Sequence, residues 1–237
     1  LRGGYCRHDR KVSKNQMERI DTITITQALP RVFVGEEADP RIARSEVWLT
    51  ECVLRRGDSY IIEAGSGTGK TSLCAFMYGS RHDYNGTIRF NGEDTAAYNT
   101  ARWCDVRRRH LAMLPQDMGL FPELTSMENI LIKNRLTDRY TEVEIADMLA
   151  ALEVDNRAYT RAGLLSVGQQ QRVALVRALC QPFDFIILDE PVSHLDERNN
   201  AAAARLVTNV AKAEGAGVIV TSVGNPLALE QFKTVRL

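Results

Sequence analysis

The stretch AGSGTGKTS, Ala64 to Ser72, concentrates the residue types that a polyphosphate needs. Gly65, Gly67 and Gly69 let backbone N–H groups point inward at one anion, because no side chain blocks the approach. Ser66 and Thr68 fill the variable places between them. Apolar spacing from Thr71 to Tyr78 predicts a helix directly afterwards, and its unpaired first N–H groups and positive dipole end extend the cradle. Lys70 is long enough to reach the β- and γ-phosphates of a nucleoside triphosphate, and the Thr71 hydroxyl suits Mg²⁺. Ala64 stands where the general pattern G-x-x-x-x-G-K-S/T has glycine; alanine serves there if its φ is negative. The plain alternative is a glycine-rich turn with a chance lysine, and the strand before and helix after argue against it.

A second group lies at FIILDEP. A continuous apolar run is the mark of a strand buried on both faces of a parallel sheet. It would carry Asp189 and Glu190 to the sheet's C-terminal edge, where open α/β sheets bind ligands. Asp189 would hold Mg²⁺, directly or through water, and Glu190 would orient or deprotonate an attacking water. Two solvated acids at an ordinary strand end is the plain alternative.

The rest of the chain must position these groups. DTITITQAL alternates with period two and reads as a half-buried strand. EVWLTECVLRRGDSYIIEAG reads as two strands joined at Gly57-Asp58, the second running into the glycine loop. EEADPRIARSE is read as a charged loop, and NGTIRFNGED as a short hairpin with an Asn-Gly turn on each side. TSMENILIKNRL and TEVEIADMLAALEV read as helices opening on threonine caps. Ala201 to Glu214 is a helix and GVIVTS a further buried strand, read as the last. Residues 117–165 have helical patterns without a clear strand. The pattern predicts an α/β fold with a parallel sheet, a small antiparallel β region and a helical lobe.

Composition narrows the class. Of 237 residues, 44% are hydrophobic and 25% charged, as in a globular protein. Lys+Arg and Asp+Glu both number 30, so no basic excess points to nucleic acid, and no nucleic-acid partner is expected. The five cysteines have no paired spacing, against a zinc site or disulfide framework. No apolar run approaches the roughly 18 residues of a spanning helix, so a membrane role would need another chain. Residues 1–20 are basic at first and expected to be a disordered tail, with the folded domain at 21–237.

Between the two groups, LLSVGQQQRVALVRAL has a polar, glycine-containing start before an apolar helix pattern. The glycine loop, LSVGQQQR and FIILDEP, in that order, resemble the ATP-binding-cassette (ABC) family of ATPases. The resemblance covers nearly all of residues 21–237. It implies a phosphate-loop NTPase core with ATP and Mg²⁺ held between two such domains, identical or different. On it, Ser166 and the Gly168 N–H, with Val167 and Gln169 beside them, would contact the γ-phosphate bound by the facing copy. Val167 replaces the family's usual glycine. A capped helix with surplus glutamines is the plain reading.

The resemblance also makes Gln116 the group that reaches Mg²⁺ and the attacking water from a mobile hinge. It makes Leu120 and Phe121 part of a surface for a membrane subunit, although both also read as core residues. Asp196 in SHLD would sit in a loop that crosses to the facing copy, or simply cap the next helix. Phe33 is the candidate for stacking on adenine, with Trp48 the alternative. Ser222 stands where the family usually has a histidine contacting the γ-phosphate. Hydrolysis is then slow, or Ser222 substitutes in part, or the chain is mainly an ATP-driven dimerisation switch. The resemblance implies an ATPase subunit at the inner, cytoplasmic face of the membrane, bound to a separate permease, most like the export and lipoprotein-release type. The alternatives are a soluble ABC ATPase acting on nucleic acid or ribosomes, and a weakly hydrolysing regulator.

Overall fold

The computed structural model describes residues 19–237, so the expected tail lies outside the described residues up to position 18. Ile20, counted with that tail, is fully buried, and its N–H donates to Asp184 Oδ2 at 2.8 Å.

Strand β1 (Thr22–Pro30) alternates half-buried and buried positions from Thr22 to Thr26, as its period-two pattern requires, and then buries Ala28, Leu29 and Pro30 in succession. The charged loop after it contains a short helix, α1 (Pro40–Ala43), which starts where the Asp39 carboxylate accepts from Arg41 N. β2 (Glu51–Arg55) and β3 (Ser59–Glu63) follow on either side of the Gly57 turn, but they join different sheets. After β3 come α2 (Lys70–Met77), β4 (Tyr84–Phe90), β5 (Glu93–Asp94) and α3 (Thr100–Arg109). β6 (Leu111–Leu114) leads into the lobe of α4 (Ser126–Asn134) and α5 (Glu142–Ala151), both opening on the expected threonines, Thr125 and Thr141, in full capping boxes. α6 (Val167–Leu179), β7 (Phe185–Asp189), α7 (Glu197–Glu214), β8 (Gly217–Ser222) and β9 (Lys233–Arg236) complete the order.

The strands form a four-stranded antiparallel sheet, β2-β1-β4-β5, and a five-stranded parallel sheet, β6-β7-β8-β3-β9. Along β7, Ile186 and Leu188 face the core shared with α4, α5, α6 and α7, while Phe185 and Ile187 face the core shared with α2, α3 and the antiparallel sheet. Burial on both faces explains why FIILD reads as an unbroken apolar run. Each fully buried side chain of this kind contributes about 1.5–3 kcal/mol of transfer free energy.

Three readings need correction. Only the second Asn-Gly pair is a turn: Asn91 and Gly92, both with positive φ, join β4 to β5. The first lies inside β4, where Gly86 has a φ of 86° and a Cβ there would sit 2.2 Å from Gln27 O. β1 shifts register between Thr26 and Leu29 opposite it, so this glycine admits a bulge rather than a turn. GVIVTS is not the last strand, because β9 pairs in parallel with β3. α3 and β6 were not anticipated.

Candidate functional site

Four neighbouring parallel strands end at one edge, and each delivers a group. β3 runs into Ala64 and the glycine loop, β6 into Pro115 and Gln116, β7 ends at Asp189 before Glu190, and β8 ends at Ser222. Asp189 pairs in register with Thr221, and Glu63 with Ser222, so these positions are level across the sheet.

The loop is braced from outside. Ala64 is not among the described residues with positive φ, so its methyl costs no backbone strain. Trp48 is 1% exposed, and its indole N–H donates to Thr68 O at 3.0 Å. It is a core residue supporting the loop from behind, not a surface for stacking a base. Phe33 packs beside it: a Cβ at Gly69 would lie 3.2 Å from both rings. Phe33 also lines a small cleft with Glu36, Arg41, Ile42, Gly67 and Thr68. The α2 helix begins at Lys70, with Ser72 half-buried in its first turn.

Lys70 is 6% exposed. Its ammonium donates to Gly65 O at 2.9 Å and lies 3.6 Å from Glu190 Oε1. A buried ammonium needs such partners, because desolvating an unpaired charge is costly. The Thr71 hydroxyl donates to Gln116 Oε1 at 3.2 Å, so the Gln116 loop reaches the glycine-loop helix. Asp189 is 1% exposed; its Oδ1 accepts from the Thr221 hydroxyl at 2.6 Å, while Oδ2 is buried without a hydrogen-bond partner. The Ser222 hydroxyl is likewise buried and unpartnered. Buried polar atoms are rarely left unpaired, and these two lie at the ends of adjacent strands on the same sheet edge.

Glu190 has a φ of 50°, a sparsely populated region for a residue of its kind. Its neighbours hold it there. Glu190 N donates to Thr221 Oγ1 at 3.2 Å, and Glu190 O accepts from Gln171 Nε2 at 3.0 Å. Gln171 also donates to Ser193 Oγ at 3.3 Å and accepts from His194 N at 3.1 Å. The three glutamines thus differ in kind. Gln169 and Ser166 form a capping box, Gln170 donates to Leu165 O, and Gln171, 3% exposed, ties α6 to the 190–194 loop. Gln171 and Thr221 were missed in the sequence. They carry no chemistry themselves, and their roles come only from contacts across the fold.

At the start of α6, Ser166 Oγ accepts from Gln169 N at 3.3 Å, which leaves the hydroxyl proton free to donate. The capping box pairs the N–H groups of Ser166 and Gln169, which leaves those of Val167 and Gly168 without an intrahelical partner, and Val167 and Leu164 are 46% and 77% exposed. Gly168 has a further reason for being glycine, since a Cβ there would lie 2.9 Å from His194 O. No hydrogen bond or ion pair among the described residues joins residues 166–169 to residues 64–72. Asp196 caps α7: its carboxylate accepts from Asn199 N at 2.8 Å, and that bond holds it below the usual carboxylate range. Leu120 packs against the core, whereas Phe121 is 51% exposed on a turn fixed by Asn129. No helix among the described residues is long and apolar enough to cross a membrane.

The chain is similar to known proteins in sequence and in fold. The family profile described as ABC transporter matches residues 51–193, more than half of the chain. An uncharacterized ABC transporter ATP-binding protein of Mycobacterium tuberculosis is 32% identical over 168 residues, which cover 70% of this chain and 51% of that protein. The chain therefore spans about half the length of that relative. The lipoprotein-releasing system ATP-binding protein LolD of Novosphingobium aromaticivorans is 29% identical over 187 residues, 78% of this chain and 84% of that protein. The dimeric structure of MJ0796, a bacterial ABC transporter cassette, superposes with a TM-score of 0.66 at 24% identity, covering 73% of this chain and 77% of that one. Its parallel sheet, small antiparallel sheet and helical lobe are those of an ABC nucleotide-binding domain, and the chain belongs to the ABC transporter family.

Proposed function

We propose that this chain is the ATP-binding and ATP-hydrolysing subunit of a membrane transporter, and that it works as one of two facing cassettes with ATP between them. The observation that carries this reading is the convergence of Lys70, Gln116, Asp189 and Glu190 on one sheet edge, with Asp189 Oδ2 buried and unpartnered.

The residues fit Mg²⁺. Asp189 Oδ2, Thr71 Oγ1 and Gln116 Oε1 are hard oxygen donors of the kind this ion prefers, and the first has no other partner. When bound, the ion neutralises charge on the β- and γ-phosphates. The glycine loop, Ala64 to Ser72, supplies N–H groups to the same phosphates. Lys70 turns its ammonium from the Gly65 carbonyl and Glu190 toward them, so nucleotide binding competes with the Lys70–Glu190 pair. Glu190, released from that pair but held at its backbone by Gln171 and Thr221, orients the attacking water and accepts its proton. Phe33 is the base-stacking candidate from its position beside the loop. Ser166, Val167, Gly168 and Gln169 offer a helix N-terminus to the γ-phosphate held by the facing copy, and Asp196 lies on the loop next to that interface. Binding closes the pair, and hydrolysis releases it. A separate permease supplies the span, which would hold the chain at the cytoplasmic face of the membrane. The LolD relatives favour the lipoprotein-release type.

A second reading, a nucleotide-binding regulator with little turnover, is favoured by Ser222, whose short hydroxyl cannot carry charge. Steady-state ATPase rates of the wild type and Glu190→Gln separate the two. The enzyme reading expects wild-type turnover at least about a hundredfold above the variant, with ATP binding retained. A wild type no faster than Glu190→Gln, with its permease present, overturns it.

A further inference from the structure

We infer that Arg177 is a positioning residue that sets the reach of Gln116 toward Thr71, so that α6 links its own Ser166 end to the nucleotide edge of the same chain. The inference rests on the reading that Gln116 works at the Mg²⁺ site. Arg177 lies in the last turns of α6, about 16 Å along the axis from Ser166 at 1.5 Å per residue. Its guanidinium donates from Nη1 to Gly119 O at 2.7 Å and from Nη2 to Met118 O at 2.6 Å.

Those carbonyls belong to the turn that carries Gln116. Met118 N donates back to Pro115 O at 2.9 Å, and Met118 and Gly119 both have positive φ, 60° and 56°. A methionine in that region is strained and persists only where its surroundings hold it. Arg177 holds this end of the turn and Asn129 the other, where it donates to Phe121 O and accepts from Phe121 N. Gln116 is thereby left pointing at Thr71, 3.2 Å away. Only arginine offers two coplanar donors spaced for two carbonyls, and lysine offers one point charge. A force on the Ser166 end of α6 is therefore delivered to the Gln116 turn through two short hydrogen bonds.

Hydrogen–deuterium exchange of the nucleotide-free chain, together with steady-state kinetics, tests this in Arg177→Met and Arg177→Lys. Exchange across residues 115–121 is expected to be roughly tenfold faster in Arg177→Met, with α6 still protected, and intermediate in Arg177→Lys. The kcat is expected to fall about tenfold in Arg177→Met, with KM for ATP within about twofold. Unchanged exchange across 115–121, or faster exchange with kcat intact, overturns the inference. A wild type without ATP turnover would refute the ATPase reading instead, and the exchange comparison would still decide whether Arg177 holds the turn. If Arg177→Met does not fold, Arg177→Lys carries both readouts.

Discussion

Replacing Gln171 by leucine isolates the connection between α6 and Glu190. The side chain makes three hydrogen bonds, to Glu190 O, Ser193 Oγ and His194 N, from a position 3% exposed. At a net contribution of about 1 kcal/mol each, their loss amounts to about 3 kcal/mol, and the apolar burial of leucine returns roughly 1. Leucine also leaves the His194 N–H without that acceptor, which raises the cost again by about 1 kcal/mol. The expected net loss is about 3 kcal/mol, read as the shift in urea unfolding midpoint. Gln169→Ala, which removes only a surface capping box, should cost about 0.5–1 kcal/mol. Activity should fall as well. Glu190 keeps its φ of 50° because Gln171 and Thr221 hold it, so Gln171→Leu should lower kcat by more than about tenfold. Equal destabilisation by the two substitutions, or an unaltered kcat in Gln171→Leu, would refute the reasoning.

Other outcomes follow from the same geometry. Ser222→His, which puts a longer donor where a buried hydroxyl has no partner, should raise kcat on the order of tenfold or more; no rise in a folded variant would show that position 222 does not limit turnover. Trp48→Phe removes the indole bond to Thr68 O and leaves a gap behind the loop, so stability should fall by about 2–3 kcal/mol in chemical unfolding, and ATP affinity should weaken. Alkylation near pH 8 followed by peptide mapping should label exposed Cys104 and spare Cys52, Cys74 and Cys180. Burial pushes the Cys52 and Cys180 thiols up to about 11 and about 12, and Cys74 well above its ordinary value, so little thiolate is present there. Labelling of Cys180 as fast as Cys104 would contradict the packed core around α6.

What could be read in the sequence was local and contiguous. The glycine loop, the Asp189-Glu190 strand end and the threonine caps of α4 and α5 each lie within a few residues, where spacing alone carries the chemistry. β6 escaped notice because LAML is short and follows a run of arginines that belongs to α3. β9 escaped because KTVR, on the sheet edge, buries too little to show a pattern. Asn85-Gly86 has the chemistry of a turn, yet its glycine answers the close approach of the Gln27 carbonyl from another strand. Asp196 is legible as a cap, and the structure uses it as one. Gln171, Thr221, Arg177 and Asn129 acquire their roles from partners distant in sequence, and no single-sequence pattern announces such a partner.

A nucleotide bound by the Lys70 loop of one copy and covered by the Ser166–Gly168 helix start of another should make association depend on ATP. Sedimentation velocity of Glu190→Gln with and without MgATP measures this directly. A shift from monomer to dimer with ATP, lost again in Lys70→Ala or when ADP replaces ATP, is the expected result. A Glu190→Gln chain that stays monomeric with ATP bound, or that binds no nucleotide at all, would contradict the two-copy site.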